Sequence, residues 1–192
     1  IIGGIIVMAE VKKTESKFPS EIIDLPSGGK IYGKDSPLYD GKLELKYMTA
    51  KEEDILTSQN LIKKGIVLDK LLDSLILTAG VSTKNLLVGD KNAVMVASRI
   101  LAYGPEYQAE IINPITDEKV SHEFDLSACE FKQLPEGVDY SSNEFEFELP
   151  VTKSKVVFKL ITGLEENTIN EEINSRKKIG QSAEITTRMK HS

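Results

Sequence analysis

Between residues 47 and 107 the apolar positions recur at helical spacing, in three runs separated by short breaks. After Gly65, the residues Leu68, Leu71, Leu72, Leu75 and Ile76 stand at i, i+3, i+4, i+7 and i+8. That is the stripe of a core-facing helix, which Gly80 closes. Ahead of it, Thr49 and Glu52 have the T-x-x-E spacing of a capping box, which predicts a helix start at Thr49. Glu53 and Asp54 add negative charge to its first turn, and Lys63 and Lys64 add positive charge before Gly65. A third helix is predicted from Asp90 as N-cap, burying Ala93, Val94, Ala97, Ile100 and Leu101 until Gly104-Pro105 stops it. None of the three is long enough to be secure alone in water, so packing must hold them.

Outside this block the period changes to two. Leu43, Leu45 and Tyr47 alternate with Glu44 and Lys46, a half-buried strand that feeds the first helix. Residues 18–25 and 30–32 read as two short strands or an extended arm around the turn Pro26-Ser27-Gly28-Gly29. Residues 107–112 and 120–124 flank a polar loop and read as a hairpin, with 126–134 as a further extended piece. Phe145, Phe147 and Leu149 alternate with Glu144, Glu146 and Glu148; after a turn, Val156, Phe158 and Leu160 alternate with Val157, Lys159 and Ile161. The second of these strands is expected to be covered on both faces. Cross-strand charge pairs are expected between the three glutamates and Lys155 and Lys159. Residues 162–178 are acidic first and basic later, with Leu164, Ile169 and Ile173 as anchors, the pattern of an exposed helix or partner-binding segment.

The predicted fold class is therefore α+β: a three-helix segment packed with antiparallel β-hairpins, plus a C-terminal helix. Residues 1–17 read as a flexible leader and 18–192 as one α+β domain, with a helical part at 48–105, a β-rich part at 106–162 and a terminal helix at 163–190. A length of 192 residues suits one well-cored domain.

A formal charge of -6, with lysines scattered among acids, argues against non-specific nucleic-acid binding, which needs clustered cations on phosphates. Cys129 is the single cysteine, so no internal disulfide forms and a reducing cytoplasm is the default compartment. The stretch from Ile1 to Met8 is apolar but too short to span a bilayer and lacks the basic flank of a signal peptide. Met8 reads as an internal initiator, followed by a polar, mobile leader. Residues 184–192 carry no Gly or Pro stop signal, in keeping with a piece of a longer chain.

Candidate chemistry is sparse. Ile1-Ile2-Gly3-Gly4 has the form of an activated trypsin-like amino terminus, but the histidines are His122 and His191 and no Gly-Asp-Ser-Gly-Gly loop follows. Pro26-Ser27-Gly28-Gly29 precedes Lys30-Ile31-Tyr32 and not the Gly-Lys-Ser/Thr of a phosphate loop, so it reads as a plain turn. His122 has no ligand partner at metal spacing and reads as a surface or edge-strand residue. Cys129 reads as a small buried hydrophobe. Glu144, Glu146 and Glu148 read as a solvated strand face. No catalytic, cofactor-binding or metal-ligating residue is assigned.

Several ordered blocks carry a resemblance: L-P-S-G-G-K-I-Y, Y-M-T-A-K-E-E-D-I-L, K-K-G-I-V-L-D-K-L-L, L-L-V-G-D-K-N-A, A-Y-G-P-E-Y, and F-E-F-E-L-P before V-V-F-K-L-I-T-G-L-E. From Pro19 to about Lys190 the chain resembles the T4-type bacteriophage baseplate hub protein family, which includes a hub subunit and a hub-assembly catalyst. In that family a Cys-Pro-x-Cys turn often stands where this chain has Asn113-Pro114-Ile115-Thr116, so the resemblance carries no zinc role here.

The resemblance implies a non-enzymatic phage tail protein: a structural component or assembly factor of the baseplate hub, acting through contacts with other baseplate and tail proteins. It would work without cofactor, nucleic acid or membrane, as a homo-oligomer or a symmetric ring. It would reside in the host cytoplasm during assembly or in the virion. Residues 145–149, 156–161 and 162–178 are the expected interface elements. Two rival classes stand beside this reading. A tail-associated peptidoglycan hydrolase would need two carboxyls facing across a cleft about 5 to 10 Å apart. A host-directed regulatory binding module would draw on the acidic balance.

Overall fold

A computed structural model describes residues 18–132, 134–178, 180 and 184–192. The leader expected at 1–17, with Ile1 to Gly4 and Met8, lies outside the described residues. The fold is α+β, with six helices and three two-stranded antiparallel sheets among the described residues.

Strand β1 (Ser20–Asp24) pairs with β2 (Lys42–Lys46), Ile23 facing Leu43 and Glu21 facing Leu45. The alternation expected in β2 holds at Leu43 and Leu45, which are buried, and breaks at its end, where Lys46 is buried to reach Glu52 and Tyr47 is only partly buried. The residues between the strands form successive turns, so the strand expected at 30–32 does not exist. Its place is decided by Gly28 and Gly29, both at positive φ, which let the chain double back. Gly29 packs so closely that a Cβ there would overlap the Tyr39 carbonyl, while Leu25 N–H donates to Gly41 O at 2.7 Å.

Helix α1 (Ala50–Thr57) starts at the predicted Thr49 N-cap, with its capping box formed. It does not run on to Gly65. The backbone is extended at Ser58, and α2 (Gln59–Lys63) follows as a separate short helix, so the expected single helix is two. Thr57 Oγ1 donates back to the Glu53 carbonyl at 3.1 Å, a side-chain bond that competes with the helix ladder, and Ser58 N–H closes the last turn on the Ile55 carbonyl.

Helix α3 (Val67–Leu75) buries Leu71, Leu72 and Leu75, whereas Leu68 is exposed. It stops five residues before Gly80, because Ile76 leaves the helix to form a bridge with Leu45 and Leu77 N–H donates to Glu44 O at 2.9 Å. An edge of the first sheet thus competes successfully for the helix's last turn.

Helix α4 (Val88–Tyr103) begins before the expected Asp90 cap; its N-cap is Leu87 and Asp90 is inside the first turn. Val88 N–H is satisfied by Ile161 O at 3.0 Å, a partner from far along the chain. Gly104, at φ 84, ends the helix as expected.

Strands β3 (Glu106–Ile112) and β4 (Lys119–Asp125) form the predicted hairpin. The piece at 126–134 is not extended throughout: Leu126–Ala128 is a single 3-10 turn whose Asp125 cap accepts from Ser127 N–H at 2.9 Å. Strands β5 (Phe145–Glu148) and β6 (Lys155–Phe158) form the second hairpin. Contrary to expectation, β6 is exposed on both faces.

The terminal segment is two helices, α5 (Gly163–Lys178) and α6 (Glu184–His191). Gly180, at φ 75, stands between them. Ile169 and Ile173 are buried as expected, while Leu164 is exposed. The principal core gathers Ile23, Leu25, Leu38, Leu43, Leu45, Leu71, Leu72, Leu75, Leu86 and Val94. Neither hairpin contributes a residue to it.

Candidate interaction surfaces

Among the described residues the buried polar side chains are committed to partners, with Thr187 Oγ1 the exception. Glu52 is fully buried; Lys46 Nζ and Ser74 Oγ donate to its Oε1 at 2.7 and 2.6 Å, and Thr49 N–H and Oγ1 donate to Oε2 at 3.0 and 2.5 Å. Burial pushes this carboxyl up, but the hydrogen bonds from Lys46, Ser74 and Thr49 outweigh it and hold it at about 2. One side chain therefore closes the capping box and joins β2, α1 and α3.

Asp90 is the second such centre. Its carboxylate accepts from Ser27 N–H and Oγ at 3.0 and 2.7 Å and from Tyr32 Oη at 2.7 Å, and Tyr32 Oη accepts Leu87 N–H at 2.9 Å. Burial and the neighbouring Asp90 carboxylate raise the Tyr32 phenol well above the usual tyrosine range. Pro26-Ser27-Gly28-Gly29 is thus a turn, as expected, and it is pinned by its serine to the start of α4.

A third centre fixes α5. Lys91 Nζ lies 2.8 Å from Asp69 Oδ1 and 3.1 Å from Glu166 Oε2, and Asn167 donates to Asp69 Oδ2 at 3.0 Å. Burial works against the Lys91 charge, but Asp69 and Glu166 raise its pKa. Thr162 and Glu165 form a second capping arrangement: Thr162 N–H and Oγ1 donate to Glu165 Oε2 at 2.8 and 3.1 Å. These five carboxylates, Glu52, Asp90, Asp69, Glu165 and Glu166, hold elements together.

Exposed apolar side chains stand on α5 and α6 (Leu164, Ile185 and Met189) and, paired across strands, on the two hairpins. In the first, Tyr107 faces Phe124 and Ile111 faces Val120, which places all four on one side of the ribbon. All four are exposed. The hairpin is held at its base by Arg99, which donates to Gly104 O at 3.1 Å and Glu106 O at 3.3 Å and lies over the rings of Tyr103 and Tyr107. His122 is exposed on β4 with its ring 4.5 Å from that of Phe124, the surface position expected for it.

In the second hairpin, Phe145 faces Phe158 and Phe147 faces Val156, again one apolar side. The Phe145 and Phe158 ring centroids are 5.5 Å apart. Phe147 is 51% exposed, Phe158 40% and, on the opposite side, Val157 62%. Of the charge pairs expected across this hairpin, only Glu148 stands opposite a lysine, Lys155; Glu146 stands opposite Val157. Lys159 turns away to Glu165 on α5, and Glu148 lies 3.7 Å from Lys153 in the turn. The base is tied by Asn143, which donates to Leu160 O at 2.7 Å and accepts from Leu160 N–H at 2.9 Å.

Cys129 is exposed, not buried as expected, because the turn at Leu126–Ala128 leaves it outside any core. Among the described residues no group of three or more His, Cys, Asp or Glu is arranged to hold a metal ion, and no helix is long and apolar enough to cross a membrane. Sequence reasoning missed the Asp90 and Lys91 centres, whose partners are distant in sequence. It also passed over Thr162 and Glu165, although they repeat the Thr49–Glu52 spacing. No protein-family model, curated protein or solved structure matches this chain.

Proposed function

We propose that this chain is a non-enzymatic assembly protein of a bacteriophage tail, a component or assembly factor of the baseplate hub that works by contact with other tail proteins. The observation that carries the reading is the pair of hairpins whose apolar faces stand in solvent while contributing nothing to the core. Apolar surface left uncovered in this way marks protein contact sites. An antiparallel pair offers partners both a face and two open edges. The resemblance of the ordered blocks from Pro19 to about Lys190 to baseplate hub proteins supplies the setting.

The test is co-expression of the full chain with the hub and tail proteins of a T4-type phage, followed by affinity purification and size-exclusion chromatography. A stable complex that forms with one or more of these proteins supports the proposal. Elution of the chain free of every tail protein refutes it.

A further inference from the structure

The two open edges of the second hairpin carry opposite charge. Strand β5 continues the run Glu144, Glu146, Glu148, and β6 carries Lys155 and, just beyond its end, Lys159. Among the described residues, β5 and β6 pair only with each other. The phase of the ladder follows from the turn: Leu149 N–H donates to Ser154 O at 2.9 Å, so Leu149 and Ser154 are turned inward. Bonding groups alternate along an antiparallel pair. Phe145, Phe147, Val156 and Phe158 therefore also bond inward, and the peptide groups of Glu146, Glu148, Lys155 and Val157 point to the open edges. Farther along the β6 edge, Lys159 N–H is already taken by Ser192 O at 2.7 Å.

We infer that this hairpin joins copies of the chain head to tail, the acidic β5 edge of one copy adding to the basic β6 edge of the next. The inference rests on the reading of the hairpins as contact surfaces and names a second copy as the occupant. In an antiparallel addition Glu146 and Glu148 of one copy come beside Lys155 and Val157 of the neighbour, on the same side of the sheet. Phe147 then extends the apolar side formed by Val156 and Phe158. The charges select this pairing: β5 against β5 sets glutamates together, and β6 against β6 sets lysines together, so both symmetric pairings are opposed. A heterologous contact of this kind generates a ring or an open filament and not a two-fold dimer.

Sedimentation velocity of the full chain over a concentration series tests the inference. Wild type is expected to form species larger than the monomer, increasingly with concentration and less so at high salt. Glu146→Lys and Lys155→Glu should each lose the larger species. Their equimolar mixture should regain them, because the unaltered acidic β5 edge of the Lys155→Glu variant meets the unaltered basic β6 edge of the Glu146→Lys variant. A merely unfolded variant is not rescued by mixing. Monomeric wild type at every concentration, undiminished association of both variants, or a mixture that stays monomeric overturns the proposal. If circular dichroism shows that either reversal unfolds the protein, Glu146→Gln and Lys155→Gln replace the pair, and unchanged association of both then overturns it. Self-association without tail-protein binding leaves this inference standing and removes the assembly function; tail-protein binding by a monomeric chain does the reverse.

Discussion

Lys46 and Glu52 meet at 2.7 Å across the turn between β2 and α1, with the carboxylate wholly buried and the lysine nearly so. The pair gives the first sheet and the helices a common polar joint. Removing one partner strands the other charge without water, which typically costs about 3–5 kcal/mol. Lys46→Met is expected to lower the urea midpoint accordingly, with the dependence on denaturant unchanged. Acid has the same target. The Glu52 carboxyl is held at about 2 against an ordinary 4.5, so its contribution is complete above about pH 4.5 and is lost as the pH falls towards 2. Glu52→Gln should flatten that acid limb in urea titrations at successive pH values.

Tyr32 is the corresponding alkaline sensor. Its folded phenol is raised by burial and by Asp90, so the stability it contributes is present below the ordinary tyrosine value of 10.0 and declines as the pH rises beyond it. Absorbance at alkaline pH should show this tyrosine ionising together with unfolding. Tyr32→Phe leaves Leu87 N–H without its acceptor and should cost about 1–3 kcal/mol at neutral pH, read from denaturant midpoints.

Gly163 and Gly89 look alike in a helical sequence and should respond oppositely to alanine. At Gly163 an added Cβ would run into the Thr83 carbonyl, whereas at Gly89 nothing lies within 4 Å. Alanine gains up to about 1 kcal/mol over glycine within a helix, but forced overpacking costs about 1–3 kcal/mol. Gly163→Ala is therefore expected to lower the melting temperature and Gly89→Ala to raise it slightly.

Phe147 separates binding from folding. It is half-exposed and belongs to no core cluster, so Phe147→Ser should change stability by no more than about 0.5 kcal/mol. The same substitution should abolish co-purification with tail proteins. A large loss of melting temperature, or unaltered co-purification, would count against the role given to this face.

Local signals were readable along the chain, and distant ones were not. Thr49 and Glu52 sit within one turn, and Gly104 ends α4 by its own backbone, so both boundaries could be placed from spacing. Asp90 could not: it resembles an N-cap, but its partners Ser27 and Tyr32 lie about sixty residues away, and the helix instead begins where Ile161 can reach Val88. Ile76 continues a helical stripe in sequence, but in space it meets Leu45, and sheet pairing prevails. Alternation in 145–149 told which residues share a face. It could not tell whether anything covers that face, because β-branched and aromatic residues fit an exposed ribbon and a sandwiched strand equally well. The interface elements expected at 145–149 and 156–161 coincide with the open hairpin, whereas α5 places Ile169 and Ile173 inward and is bound through Glu166 to Lys91.

Because the core is complete without the two hairpins, mutation can rewrite their tips while the rest of the molecule stays as it is. Substitutions on those exposed faces carry almost no thermodynamic cost. The hairpin faces are thereby free to diverge faster than the body that displays them.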